Sequence, residues 1–404
     1  LGVSVANAKS IAADTGGTVT ATIASGSRVA DLTELRTPNG SDAEENAWTI
    51  TIHNDDATAA TAAQLNTINA ATSEAITSDE ITALAASDLS DLTTLNTNAA
   101  GFSDLTNLAA ITLTDNGGAG GSVDYTTLEG IVDSYQGRNA GVAFSFQAAD
   151  TIEVGSGEVA DYLTDIGSGA LALSDQNVTV SGTTLSVADA KTIAADTTGV
   201  VTAEITSGSR VSKLTELRNP GGGNEENAWT ITIHSSDAES SAANLNTINA
   251  ATSEQVDASE VTTITSSSIS DIGTLLTSAV ATTPREFTTG SFDNLAALSV
   301  SDDTIDVTNL NTAITNANSV VAGGTVPVFT LSDTDALING GSEAEFVSLT
   351  NVSGSEASDN INLGAGGTTY ALTIDDGTIG TIANANAFTA ATSGTVTGTI
   401  ANTT

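Results

Sequence analysis

The feature that most constrains this chain is a heptapeptide that occurs twice. Ala47-Trp48-Thr49-Ile50-Thr51-Ile52-His53 returns as Ala228-Trp229-Thr230-Ile231-Thr232-Ile233-His234, 181 positions later. The two copies contain both tryptophans and both histidines of the 404 residues. Long flanking stretches recur with it. Val5 to Thr15 matches Val187 to Thr197, Ser25 to Val29 matches Ser207 to Val211, and Leu32 to Arg36 matches Leu214 to Arg218. Leu65 to Glu74 returns unchanged as Leu245 to Glu254, and Leu108 to Ala110 fits Leu295 to Ala297. Phe388 to Ile400 lines up with Ile11 to Ile23 and opens a third copy. The expected division is therefore residues 1–181, residues 182–376 and the start of a third repeat at 377–404. The sequence opens on Leu1 and runs from mid-pattern to mid-pattern, so it reads as a processed or excerpted piece. Repeat arrays need terminal caps, which then lie elsewhere, or each end docks on a neighbour.

Within a repeat, two hydrophobic periods alternate. Val19, Ala21 and Ile23 share one face of a strand, with Thr18, Thr20 and Thr22 on the other. The heptapeptide puts Trp48, Ile50 and Ile52 on one face and Thr49, Thr51 and His53 on the other. Ile111 to Thr114, Ile152 to Val154 and Val178 to Val180 read as further strands, rich in the β-branched residues that strands favour. Between strands the spacing turns helical. Ser4 is placed to cap a helix with Val5, Ala8, Ile11 and Ala12 on one face, ending at Gly16-Gly17. Ala62, Leu65 and Ile68 form a second short face. Ser78 is placed to cap a helix carrying Ile81, Leu84 and Ala85, and Ser87 or Asp88 to start one carrying Leu92 and Leu95. Strand alternating with helix implies parallel strands joined by crossovers. The expected fold is a repeat solenoid of parallel β-strands and short helices (α/β or β-solenoid), with roughly 20 to 30 residues per coil. A string of β-sandwiches is the competing architecture, in which the helical stretches would be loops.

Composition narrows the partners. There are 49 acidic and 9 basic residues, for a formal charge of −40. No basic stripe exists to neutralise phosphates, which excludes nucleic acid, and an anionic bilayer would repel the chain. Acidic chains poor in aromatics are often disordered. Here 39% hydrophobic residues with legible strand and helix periods argue for order. Cysteine and methionine are both absent, which removes disulfides and oxidisable sulfur and suits a long-lived extracellular protein. No signal peptide and no apolar run of roughly 18 residues that could span a membrane is present.

Candidate chemistry is sparse. His53 and His234 occupy equivalent positions, with no second histidine or cysteine beside either to complete a metal site, so both read as strand-end residues. Lys9/Lys191, Arg28/Arg210 and Arg36/Arg218 recur in phase and are expected to meet carboxylates, Arg36 for instance with Glu34 or with one on a neighbouring coil. Acidic turns are the ligand candidates, because calcium takes six to eight oxygens from carboxylates and carbonyls. Asp55, Asp56, Asp115, Asp302, Asp303, Asp375 and Asp376 are the residues so marked, with plain turn chemistry as the alternative. Gly354 to Gly367 faintly resembles calcium-binding nonapeptide turns of the repeats-in-toxin type, though it departs from them at most positions. The clusters Gly117 to Gly121 and Gly221 to Gly223 precede no helix carrying a lysine and read as loops. The Thr-x-Thr strands suggest an ice-binding face, but such a face needs coils of uniform length. Asp124, Glu129, Asp133 and Arg138 lie in the least repetitive stretch and show no catalytic pattern.

The modules VADAKTIAADTTGVVTAEI (187–205) and AAQLNTINAATSEAI (62–76) resemble repeats of giant extracellular proteins of the cyanobacterial type, the swimming-associated cell-surface and β-strand-repeat proteins. The resemblance covers residues 1–115 and 185–302 and implies a secreted or surface-attached array. It does not carry a motility role. The expected function is structural: an extracellular filament, sheath or surface layer that self-associates end to end or laterally. An adhesin or stalk segment binding glycans or cells is the second expectation, and an enzyme is not expected.

Overall fold

The computed structural model describes residues 2–15, 17–35, 46–114, 122–146, 151–172, 175–217, 227–282, 286–321, 327–331, 337–340, 361–362, 371–373 and 395–398, with single positions 379 and 386. The chain is an α/β protein in which parallel strands, gathered in several sheets, alternate with helices, and among the described residues no sheet closes into a barrel. Two compact units are distinguished: residues 1–184 with 191–202, and residues 185–190 with 203–404.

The first unit is built on three ladders. In one, Val3 bridges Ile23, Thr20–Thr22 pairs with Ala47–Thr49, Asn46 and Thr51 bridge Thr72 and Thr77, and Ile76 bridges Phe102. In the second, the strands Ala83–Ser87, Ala110–Leu113, Ala143–Phe146 and Leu171–Ala172 lie in sequence order. The third pairs Ser122–Asp124 with Thr151–Val154, and that strand with Asn177 to Val180. The second unit repeats the plan. Ile231–Thr232 pairs with Val256–Asp257, and Val256 bridges Phe287. Strands at 239–241, 263–267, 297–300, 328–331 and 361–362 follow in order, as do those at 304–306, 337–339, 371–373 and 396–397. Every pairing described here is parallel, which separate antiparallel sandwiches would not produce. Steps between paired strands run from 20 residues (Val3 to Ile23) to 34 (Thr263 to Ala297), a wider spread than expected. The long steps hold the long helices Tyr125–Gln136, Ile269–Val280 and Val307–Val320.

Local chemistry explains the short elements. The helix Ala62–Asn69 opens on a capping box, in which Gln64 N–H donates to Thr61 Oγ1 (3.2 Å) and Thr61 N–H donates back to Gln64 Oε1 (3.0 Å). It buries Ala62, Leu65 and Ile68, and Leu89–Thr97 buries Leu89, Leu92 and Leu95. Ser4 caps Val5–Ala13 as expected, but only Val5 and Ala8 are buried there, and Ile11 is 47% exposed. The helix expected to carry Ile81, Leu84 and Ala85 is instead the strand Ala83–Ser87. Its buried residues Leu84 and Ser87 fall three apart because the pairing with Ala110–Leu113 shifts register between them, and Ile81 is buried just ahead of the strand. A β-bulge thus produces the spacing of a helix face. The second copy repeats it, with Val261, Ile264 and Ser267 buried and a shift between Ile264 and Ser267.

Buried polar side chains join neighbouring segments at the same places in both copies. Thr72 Oγ1 accepts from Trp48 N–H (2.9 Å) and donates to Trp48 O (2.8 Å), and Thr252 Oγ1 donates to Trp229 O (2.7 Å). Ser87 Oγ and Ser267 Oγ each accept the first helical amide of the preceding helix, Ala62 N–H and Ala242 N–H, at 2.9 Å. Asn66 and Asn246 donate to the carbonyls of Asp91 and Asp271 on the next helix.

Trp48 is the largest fully buried side chain of the first copy, so its removal tests the central strand. Trp48→Ala is expected to cost about 3–5 kcal/mol in urea denaturation. Thr49→Ala, on the exposed face of the same strand, is expected to stay within about 0.5 kcal/mol.

Candidate functional site

The histidine that ends the heptapeptide begins the most elaborate polar cluster. The strand stops at a turn of 3-10 helix, Asn54–Asp56, and His53 Nδ1 caps it by accepting Asp55 N–H (3.1 Å). His234 Nδ1 does the same for Ser236 N–H at 3.1 Å. The turn carries Asp56 inward, where it is only 6% exposed. An isolated buried carboxylate is costly, and this one is fully partnered. Arg28 Nε donates to both of its oxygens (3.1 Å each), Arg28 Nη2 to Oδ1 (2.9 Å), and Val29 N–H to Oδ2 (2.9 Å). Arg28 Nη1 reaches out to the exposed Asp55 at 2.6 Å.

The second copy keeps the core of this arrangement. Arg210 Nε donates to both oxygens of Asp237 at 2.9 Å, Arg210 Nη2 lies 2.7 Å from Asp237 Oδ1, and Val211 N–H donates at 2.9 Å. Ser236 stands where the first copy has Asp55, and its carbonyl accepts from Arg210 Nη2 (2.9 Å). Burial acts to raise the pKa of Asp56 and of Asp237, but the arginine and the valine amide outweigh it and hold both below the ordinary carboxylate value. Both oxygens of each aspartate are therefore engaged by groups of the chain itself. The arrangement fixes the start of the short helices Val29–Leu32 and Val211–Leu214 against a turn 26 to 28 residues away.

The remaining residues marked for calcium are dispersed. Asp302 accepts the Ile269 amide at the start of a helix, and Asp303 beside it is exposed. Asp115, Asp375, Asp376 and the glycine clusters lie outside the described residues, as does all of 354–367 except the strand Ile361–Asn362. Among the described residues no group of three or more histidine, aspartate or glutamate side chains is placed to hold a metal ion. Of the recurring bases, Lys9 pairs with Glu34 at 2.9 Å, while Arg36 and Arg218 lie outside the described residues.

The least repetitive stretch also resolves into structural roles. Asp124 caps the helix Tyr125–Gln136 by accepting Thr127 N–H (3.0 Å). Arg138 donates to Asn96 Oδ1 (2.8 Å) and to the Asn96 carbonyl (3.2 Å). Tyr125 donates its hydroxyl proton to Asp165 Oδ2 (2.8 Å), and its ring meets that of Tyr162 edge-on at 5.1 Å. Glu129 on this helix lies in the field of Asp161 and Asp165 on the helix Val159–Ser168, and Asp165 in that of Asp133. Burial, then like charge, raises the pKa of Glu129. Asp165 is raised by burial and by Asp133 and Asp161, against the opposing bond from Tyr125.

Arg28 and Arg210 meet carboxylates as expected, but the sequence did not single out Asp56 and Asp237 as their partners, which lie 27 to 28 residues away. The signal was available: arginine and inner aspartate both return in the second copy, whereas Asp55 becomes Ser236.

The opposite pKa shifts set opposite pH dependences. A depressed carboxylate contributes stability above its ordinary pKa of about 4 and loses it as pH falls through the lower folded value. Asp56→Asn is thus expected to destabilise by about 1–2 kcal/mol at pH 7. The difference from the unaltered chain should narrow as pH falls below the ordinary carboxylate range, where Asp56 takes up its proton. Raised carboxylates act in reverse, so stability rises as pH falls from 7 towards the upper carboxylate range. Asp165→Asn is expected to flatten that rise in a series of thermal melts. Compared with protein-family models, with curated proteins and with solved structures, the chain finds no match.

Proposed function

We propose that this chain is a segment of an extracellular structural array, a filament, sheath or surface layer, in which its repeats stack as a solenoid. The observation that supports the reading is the recurrence of the same cross-segment contacts in both copies. Thr72/Thr252, Ser87/Ser267, Asn66/Asn246 and Arg28/Arg210 each join a segment to the one following or preceding it. Contacts of this kind make stability a sum of nearest-neighbour terms, so the array can be extended without redesign. The absence of sulfur, the charge of −40 and the resemblance of the modules to giant surface proteins favour an extracellular setting. Self-association is the partner relation the reading calls for; the acidic charge opposes nucleic acid. Among the described residues no helix is long and apolar enough to cross a membrane.

The adhesin reading fits less well. Glycan sites commonly use exposed aromatic rings, yet Trp48, Trp229, Tyr125, Tyr135 and Tyr162 are all fully buried. Calcium would enter through Asp303, Asp115, Asp375 or Asp376, and a chelator that leaves the thermal melt unchanged would remove it from the proposal.

Negative-stain electron microscopy of the purified chain over a range of concentrations is the direct test. Fibres or sheets are expected. Single particles at every concentration would overturn the structural reading.

A further inference from the structure

The two copies of the opening helix and strand carry nearly the same residues in different surroundings. Ile11 is 47% exposed, and its counterpart Ile193 is 0% exposed. Thr15 is exposed where Thr197 is buried, and Val19 is half-buried where Val201 is fully buried. The difference traces to the stretch just upstream of the second copy. There Thr197 Oγ1 donates to the Gln176 carbonyl, Val200 N–H donates to Asn177 Oδ1 (2.8 Å), and Val178 N–H donates to the Val200 carbonyl (3.0 Å). The approach is so close that a Cβ on Gly199 would lie 2.3 Å from the Gln176 carbonyl oxygen. The third copy also pairs with the strand just upstream, Leu372–Thr373 with Val396–Thr397, although Val396 is half-buried there.

Gly17 is the first-copy counterpart of Gly199. Neither has a positive φ, so backbone conformation does not call for glycine at either position. At Gly199 the close chain does. At Gly17 a Cβ would meet only Thr15 Oγ1, at 3.7 Å. The first copy thus keeps a glycine suited to a neighbour that none of the described residues supplies, beside an isoleucine that is 47% exposed. Gly394 stands at the same place in the third copy.

We propose that the face formed by Ile11, Thr15, Gly17 and Val19 is a docking surface for the closing segment of another long repeat, one resembling residues 151–182, placed ahead of Leu1 in the same polypeptide. The inference rests on the stacked-repeat reading above. The occupant is a preceding repeat because the second and third copies both take their pairing neighbour from immediately upstream. Its recognition chemistry is that of residues 176–178: a carbonyl for Thr15, an amide oxygen for the Thr18 N–H, and an apolar strand residue.

The test joins residues 151–182 directly ahead of Leu1 of the full chain, in the register that Gly182 has with Leu185 and Val3. The fusion is expected to melt roughly 3 °C or more above the unfused chain. Amide exchange at Thr18 is expected to slow at least about tenfold. Gly17→Val should leave the melt of the unfused chain unchanged and cancel the gain of the fusion. Gly199→Val, which lowers both melts, shows that the substitution is disruptive where a neighbour is seated. A fusion without gain, or a gain that survives Gly17→Val, would overturn the proposal. A concentration-dependent dimer of the unfused chain that Gly17→Val abolishes would also overturn it, in favour of a second chain. A fusion that gains stability yet stays as single particles would leave this surface assigned while rejecting the filament.

Discussion

The structure depends on parallel pairing between segments 20 to 34 residues apart. A single strand here has two to four paired residues on a side, as at Val256–Asp257 or Ala110–Leu113, and cannot satisfy its own backbone. Each peptide group in a dry interior must find a partner, so every strand requires the one before it and the one after. Side chains reinforce this dependence. Thr72 satisfies both the amide and the carbonyl of Trp48, and Ser87 supplies an acceptor that the helix Ala62–Asn69 lacks at its start. Buried hydroxyls of this sort are costly if left unpaired. Their value is therefore one of register: a segment displaced by one residue would orphan several polar groups at once.

Repetition adds a second layer to that argument. Nearest-neighbour contacts are reused because the same geometric problem is solved in each copy. The helices Ala62–Asn69 and Ala242–Asn249 bury the same three positions and hand an asparagine amide to the helix that follows. Ile11 and Ile193, identical in sequence, differ in burial through their surroundings alone.

Much of this was legible in the residues. Strict alternation identified the face Trp48, Ile50, Ile52, and all three prove buried. Helical spacing identified Ala62, Leu65, Ile68 and the helix of Leu92 and Leu95. Two things were not legible, for different reasons. Ala83–Ser87 imitates a helix because a bulge sets its buried residues three apart, and Leu and Ala lend it helix propensity that pairing overrides. The site was obscured by distance. Asp55-Asp56 in a turn has the same local appearance whether it awaits a cation from solvent or an arginine from another part of the chain. The three-dimensional path that brings Arg28 alongside distinguishes them.

The internal duplication shows which part of that cluster carries energy. Asp55 is exposed, and the pair it makes with Arg28 belongs to a class worth little in water. The second copy discards it for Ser236 and keeps the arginine bound through the neighbouring carbonyl. Asp56 and Asp237 are retained, each sheltered, each held by the guanidinium and by the amide that follows it. In a chain with 49 acids and 9 bases, a base used this way is scarce. Removing the arginine would strand a sheltered carboxylate, whereas removing Asp55 would expose nothing new. The unit preserved is thus the one whose loss leaves an unpaired buried charge. An ion-binding turn would have to preserve its outward oxygens instead.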